Sequence, residues 1–379
     1  MRFAIVTETY PPEVNGVALT VQGLEQGLRN RGHAVDLVRP RQRAGENAAT
    51  HELLVRGAGL PRYPGLRFGL PAPMRLARQW QQQRPDAIYI ATEGPLGWSA
   101  MRAARRLGIP VASGLHTRFD EYLPDYGVGW LQPTALAWMR RFHNQADATL
   151  VPTNELQQFL QGNGFAHARL LARAVDGSQF DPRHRDPALR AGWGVADDAL
   201  VVIHVGRVAA EKNLGLAVQA FRRIQQQQPH ARFVWVGDGP QREKLARDNP
   251  DFIFCGIQRG ETLARHFASG DLFLFPSRSE TFGNVTLEAM ASGVATVAFN
   301  YGAAREHLRS GHSGMAVEDD ESFINAALQL AGDADMRAML GANANRAMQR
   351  LHPEHVVAEF EALLDELATR RRHHVVAAA

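Results

Sequence analysis

The chain has 379 residues, 45% of them hydrophobic and 21% charged, and 42 Lys and Arg against 39 Asp and Glu leave a formal net charge of +3. That length exceeds the usual single domain of about 100–200 residues, so two domains are expected, and so small a net charge argues against a nucleic-acid partner. One cysteine, Cys255, excludes an intrachain disulfide; no apolar run reaches the ~18 residues of a membrane span; and a first strand starting at Arg2 argues against a secretory leader, so a cytoplasmic location is expected.

Short apolar, β-branched runs predict strands at 3–6, 34–38, 87–91, 110–113 and 149–151. After the first of them, Pro11 and Pro12 lead to Asn15–Gly16, and a helix follows with Val17, Val21, Leu24 and Leu28 on one face, stopping at Gly32. Gly16 would let the backbone approach an anionic ligand closely, and it reads equally well as a tight turn into the helix. His116 follows the strand at 110–113; a lone histidine is commonly structural, but its place at a strand's carboxyl end singles it out. Arginines cluster at 102–106, 140–141 and 370–372, either as a solvated face or as a surface for anionic lipid. Basic and aromatic residues interleave in 56–84 (Arg62, Tyr63, Arg67, Phe68, Arg75, Arg78, Trp80) and in 130–143 (Trp138, Arg140, Arg141, Phe142). Such segments suit interfacial contact with an anionic membrane, while 70–83 also reads as an ordinary amphipathic surface helix.

The stretch 176–199 is rich in Asp, Pro, Arg and Gly and lacks apolar periodicity, as an interdomain connector would. Beyond it, strands are predicted at 200–205, 232–236, 252–254, 271–275 and 295–298, alternating with helices. One helix carries Leu214, Ala217, Phe221 and Ile224, with Asn213 as its N-cap and Pro229 beyond its end. A long amphipathic helix spans 355–367 through Val356, Val357, Phe360, Leu363 and Leu364, and 373–379 is expected to be disordered. The expected organisation is an N-terminal domain over 1–175, a connector over 176–199, and a C-terminal domain over 200–352. The last helix, 353–372, is expected to rejoin the first domain.

Chemistry concentrates at two strand-to-helix loops of the second half. In 271–293 a buried strand is stopped by Pro276, and a helix starts near Asn284, the expected N-cap. Backbone N–H groups near Gly283, Asn284 and Val285 then carry the positive end of a helix dipole and favour a phosphate. Glu280 and Glu288 lie eight positions apart there. Carboxylates accept paired sugar hydroxyls, although two glutamates at a helix start also serve simply to stabilise its dipole. Arg207 and Lys212 follow the strand at 200–205; two cations beside helix N-termini make a diphosphate site, or else they pair with Glu211 and nearby acids.

Together these stretches resemble the retaining GT-B glycosyltransferases of family GT4 over nearly the whole chain. Ser279 through Asn284 with Glu288, Ala289 and Met290 match the family's E-x7-E signature. Gly206–Arg207 with Glu211, Lys212 and Asn213 match its diphosphate motif, Pro11–Pro12 with Asn15, Gly16 and Val17 its donor loop, and His116–Thr117 its active-site histidine. The wording is closest to GDP-mannose-dependent α-mannosyltransferases and sulfoquinovosyl-diacylglycerol-type enzymes.

The resemblance implies an α/β fold of two Rossmann-like doubly wound domains facing a central cleft. It implies a nucleotide-sugar donor, no metal and no other cofactor. Arg207 and Lys212 would neutralise the diphosphate, Glu288 hold the ribose and Glu280 contact the transferred sugar. Backbone groups of Thr281, Phe282, Gly283, Asn284 and Val285 would serve phosphates and sugar, Gly16 would reach the donor, and His116 would lie against the reacting centre. Two departures bear on backbone shape: Ala174–Val175–Asp176 stands where relatives usually have Gly-Val-Asp, and Gly302–Ala303–Ala304 where many have paired glycines. The expected reaction is transfer of a hexose, favoured as mannose from GDP-mannose, to a lipid or glycolipid at the cytoplasmic membrane face. The alternatives are a UDP-sugar-dependent transferase on a soluble or polysaccharide-precursor acceptor, and a sugar-nucleotide epimerase of the same fold.

Overall fold

The computed structural model describes all residues except Val14, Ala44, 60–66, 117–128, Asp197, Asp198, 279–281 and 378–379, with backbone alone for 372–377. The chain divides into two compact units, one formed by residues 1–173 with 353–379 and the other by 174–352.

In the first unit the strands are β1 (Arg2–Val6), β2 (Ala34–Pro40), β3 (Glu52–Val55), a separate antiparallel pair β4 (Gly57–Gly59) and β5 (Arg67–Gly69), β6 (Ala87–Ile90), β7 (Val111–Gly114), β8 (Ala148–Val151) and β9 (Ala168–Leu170). The main sheet is parallel, in the order β3-β2-β1-β6-β7-β8-β9. Successive side chains of a strand point to opposite faces, and β1 divides its residues accordingly. Phe3 and Ile5 enter one core with Val21, Leu24, Leu28 and Phe360. Ala4 and Val6 enter another with Leu76, Trp80, Leu96 and Met101. Both faces are therefore covered, which is why these strands read as continuous apolar runs.

The helix Gly16–Asn30 lies on the first face, and Gly32, at φ +87, ends it as expected. The helix Pro353–Ala377 covers the same face through Val356, Val357, Phe360, Leu363, Leu364 and Leu367. Its approach is close: a Cβ at Gly27 would run into the Val357 side chain. Helical backbone persists to Ala377, past the point where the sequence is expected to lose order.

The second unit carries β10 (Val201–Val205), β11 (Arg232–Val236), β12 (Ile253–Gly256), β13 (Leu272–Phe275), β14 (Ala295–Phe299) and β15 (Met315–Val317). They form a parallel sheet in the order β12-β11-β10-β13-β14-β15. Segment 176–199, expected as a bare connector, instead contributes the helix Pro187–Gly192 to this unit. Arg190, 2% exposed, donates to the carbonyls of Ser269 and Ala199 and pairs with Asp271 at 3.1 Å. Its polar composition serves specific hydrogen bonds, not slack.

Candidate active site

Open α/β sheets bind ligands outside the carboxyl ends of their strands, where the strand order reverses. In the second unit that point falls between β10 and β13, which pair directly. The loop after β10 carries Arg207 and Lys212, and the loop after β13 leads into the helix Asn284–Ala291. The topology thus sets the two groups singled out in the sequence at adjacent strand ends.

Their local geometry differs from expectation in two places. Asn284 is the first helical residue and not the N-cap; Gly283, at φ +87, holds that position and supplies no side chain to the helix end. Left-handed backbone there is what a glycine tolerates, and it leaves the helix start to a ligand's acceptors. Asn213, expected to cap the helix Leu214–Gln227, sits at φ 54 and makes no side-chain cap bond. Glu280 and Thr281 lie outside the described residues.

Phe282 is buried, and its carbonyl accepts the N–H of Ala303 at 2.7 Å. A Cβ at Gly302 would come 2.5 Å from that carbonyl oxygen, so Gly302, at φ +55, lets the helix Gly302–His307 start against the Gly283 loop. The substitution of Ala303 for the second glycine costs nothing visible, because the close approach falls on Gly302. Asn284 and Val285 are half-buried. Desolvation pushes the Glu288 carboxyl up to about 7. Among the described residues no cation pairs with it, so it is a half-buried acceptor ready for donated hydroxyls.

Arg207 has a side chain 58% exposed, and its contact with Glu211 is long, at 3.7 Å. That pair is too loose and too wet to hold the guanidinium. Two features missed in the sequence build its loop. At Gly237 and Gly239 a Cβ would overlap the carbonyls of Gly206 and Val208, so the 237–239 turn lies backbone to backbone against the Arg207 loop. The N–H groups of Gly206 and Val208 donate to Val236 and Asp238 at 3.0 Å each. The Gly–Asp–Gly signal was there to be read. His204, inside β10 and 1% exposed, contacts the Leu274 carbonyl through Nδ1 at 3.0 Å; burial lowers its pKa to about 4, so it is neutral and ties β10 to β13.

In the first unit the strand order reverses between β1 and β6. The loop after β1 closes on itself: Asn15 accepts the Ala18 N–H at 2.8 Å as N-cap and donates to Thr9 Oγ1 at 2.7 Å. Gly16 follows, solvent-exposed, as the first helical residue. Two carboxyls not singled out in the sequence stand at the same strand ends. Glu8 accepts the Leu96 N–H at 2.9 Å, substituting for the side-chain cap that Gly94 cannot give the helix Pro95–Leu107. Burial raises its pKa to about 7. Glu93 is 3% exposed with Oε1 unpartnered, and burial chiefly, with the charge of Glu8 adding, raises it to about 8.

His116 follows β7, with Thr117 outside the described residues. It is buried, and both ring nitrogens are engaged, Nε2 with Tyr89 Oη at 2.7 Å and Nδ1 with Arg173 Nη2 at 2.7 Å. Burial, and then the positive charge of Arg173, hold its pKa well below the usual histidine value, so it is neutral.

The basic–aromatic surface is narrower than expected. Trp80 and Phe142 are core residues, 0% exposed, while Arg62 and Tyr63 lie outside the described residues. What remains exposed includes Leu70 and Met74 and, in the second segment, Trp130 and Trp138 with Arg140 and Arg141. No described helix is long and apolar enough to cross a membrane.

Comparison with known proteins joins these observations. Residues 14–178 match Glycosyltransferase Family 4, and 199–333 match Glycosyl transferases group 1. A GDP-mannose-dependent alpha-mannosyltransferase of Mycolicibacterium smegmatis is 35% identical over 84% of this chain and 85% of its own length. Sulfoquinovosyl transferase SQD2 of Arabidopsis thaliana is 29% identical over 92% of this chain and 70% of its own. Among solved structures, sucrose-phosphate synthase from Thermosynechococcus elongatus superposes with a TM-score of 0.77 at 18% identity, covering 97% of this chain and 99% of that one. The last shares the fold, the GT-B arrangement of two doubly wound halves. With its two strand-reversal sites and a relative at 35% identity over most of both lengths, the chain belongs to glycosyltransferase family 4.

Proposed function

We propose that this glycosyltransferase moves a hexose, mannose from GDP-mannose, onto a lipid or glycolipid acceptor at the cytoplasmic membrane face, with retention of anomeric configuration. The observation that carries the donor reading is the pairing of β10 with β13, which makes neighbours of the Arg207 and Lys212 loop and the uncapped helix start at Gly283. Relatives named GDP-mannose-dependent alpha-mannosyltransferase support the choice of sugar and base.

In this reading Arg207 and Lys212 neutralise the diphosphate, and the N–H groups of Gly283, Asn284 and Val285 meet its oxygens. These cations take the part a divalent ion would play, so no metal is required. Glu288 accepts the ribose hydroxyls and Glu280 those of the transferred sugar. Thr281 and Phe282 contribute backbone contacts, and Gly16 and His116 keep the donor-side roles implied by the resemblance. The bond from the anomeric carbon to the diphosphate oxygen breaks, and the acceptor oxygen bonds that carbon from the same face. The acceptor's proton passes to the departing phosphate. Positioning and stabilisation of the leaving charge supply the acceleration.

The exposed Trp130 and Trp138, in one segment with exposed Arg140 and Arg141, support interfacial contact with an anionic bilayer. A panel of nucleotide sugars tests the donor: GDP released from GDP-mannose, with a glycolipid product in membrane extract, is the expected result. UDP released from a UDP-sugar onto a soluble acceptor would replace this reading. Isomerised sugar nucleotide with no diphosphate released would turn it toward an epimerase.

A further inference from the structure

Arg173 is buried, 5% exposed, three residues beyond β9. Burial lowers its pKa to about 10, and among the described residues no carboxylate pairs with it. A buried guanidinium left so is costly. Two of its nitrogens, Nε and Nη1, have no hydrogen-bond partner among the described residues. Its one hydrogen bond to a described side chain goes from Nη2 to Nδ1 of His116 at 2.7 Å.

The direction of that bond decides the state of the imidazole. Guanidinium donates and never accepts, so Nδ1 of His116 presents its lone pair. A neutral ring then carries its proton on Nε2 and donates it to Tyr89 Oη at 2.7 Å. The opposite tautomer would set Nδ1–H against an arginine N–H, and the imidazolium would do the same. Tyr89 is fully buried and fixed from the other side by Phe360, ring to ring at 5.0 Å. Gly114 leaves room for the pair: a Cβ there would lie 2.6 Å from His116 Nε2 and overlap Tyr89 Oη.

We propose that Arg173 is a positioning residue, holding His116 as the neutral Nε2–H tautomer with both nitrogens engaged, by Tyr89 and by Arg173, so that the imidazole keeps one fixed orientation and takes no part as base. This rests on the placement of His116 at the reacting centre. The groups facing His116 are consistent with it: Arg173 from the segment after β9, Tyr89 from β6, and His143, whose Nδ1 meets Ser113 Oγ at 2.9 Å. His143 is itself kept neutral, at about 3, by burial.

The test combines long-range proton–nitrogen NMR of the histidine rings with kinetics of Arg173→Met, Arg173→Lys and His116→Ala. In the native protein His116 gives the Nε2–H pattern across about pH 5–8. In Arg173→Met the pattern becomes a tautomer mixture that protonates within that range, kcat falls by ~10–100-fold with little change in donor KM, and the variant adds no loss in a His116→Ala background. Arg173→Lys, which keeps a buried donor, restores part of the Nε2–H population and carries the same measurements if the methionine variant does not fold. An unchanged tautomer in Arg173→Met, or losses that add in full to those of His116→Ala, would overturn the proposal. Normal turnover in His116→Ala would instead remove His116 from the reacting centre, while the spectra still decide whether Arg173 holds its tautomer.

Discussion

Replacing Glu288 by Gln should abolish a pH dependence of donor binding that the native protein shows. Desolvation raises the Glu288 carboxyl from its ordinary value of 4.5 to about 7. A carboxyl accepting two ribose hydroxyls is stabilised in its charged form, so the donor binds the ionised protein and releases a proton. The sign follows: affinity is full above about pH 7 and falls as pH drops through that value. The ratio of protonated to ionised carboxyl grows tenfold for each unit of falling pH, so the apparent dissociation constant weakens about tenfold between pH 8 and pH 6. GDP-mannose is the right probe, because its diester-like diphosphate carries no ionisation in this window, unlike free GDP. Titration calorimetry at about pH 6, 7 and 8, in buffers of different ionisation enthalpy, reads both the affinity and the proton released. Glu288→Gln should bind more weakly at pH 8, with a flat profile and no proton release. Equal slopes in the native and variant proteins would refute the assignment of Glu288 to the donor hydroxyls.

Lys212→Ala should lower kcat by a few kcal/mol of barrier, about the effect of a lost oxyanion donor, with the donor still bound; near-normal turnover at saturating donor would contradict its role. Gly302→Ala forces a Cβ to 2.5 Å from the Phe282 carbonyl at φ +55, so the Gly283 loop should shift and donor KM rise, without loss of the fold by circular dichroism. Phe360→Ala should cost ~3–5 kcal/mol of stability. Because Phe360 packs against Tyr89 and the β1 face, urea melts should show the loss in the first unit, with the second unit's transition unmoved. Glu93→Gln should stabilise the protein at alkaline pH. Its folded pKa is raised to about 8, so the native protein loses stability as pH rises from the unfolded value through 8, and the glutamine variant lacks that slope in thermal melts between about pH 5 and 9.

The parts of this molecule legible in its sequence are those where one physical rule acts alone. Strands buried on both faces, such as β1, β10 and β13, announce themselves as apolar runs because nothing else occupies them. The edge strands β3, β9 and β15 escape such reading: their exposed or half-buried residues, Arg169 and Leu170 in β9 among them, lack that uniformity. Caps fail for another reason. Asn213 and Asn284 are good N-cap residues by propensity, yet the chain enters both helices through left-handed backbone, at Asn213 itself and at Gly283. A side-chain cap at either start would occupy N–H groups that the proposed donor diphosphate would use, and on that proposal local stability yields to binding there.

The same conflict explains which site residues stayed hidden. Arg207, Lys212 and Glu288 stand in short motifs directly after apolar strands, so their place in the chain drew attention to them. Arg173, Tyr89 and Glu93 do not, since each is one residue in an apolar or irregular stretch, and its meaning arises from a partner 27 or more positions away or from burial. Tyr89 and Arg173 become functional candidates only once β6, β7 and the end of β9 bring them to opposite nitrogens of one imidazole. A resemblance of motifs can therefore name His116, but its protonation state is set by residues outside the motif. For His116 that state is a neutral ring whose Nε2 proton goes to Tyr89 Oη and whose Nδ1 lone pair is taken by Arg173, which leaves no free lone pair to act as base.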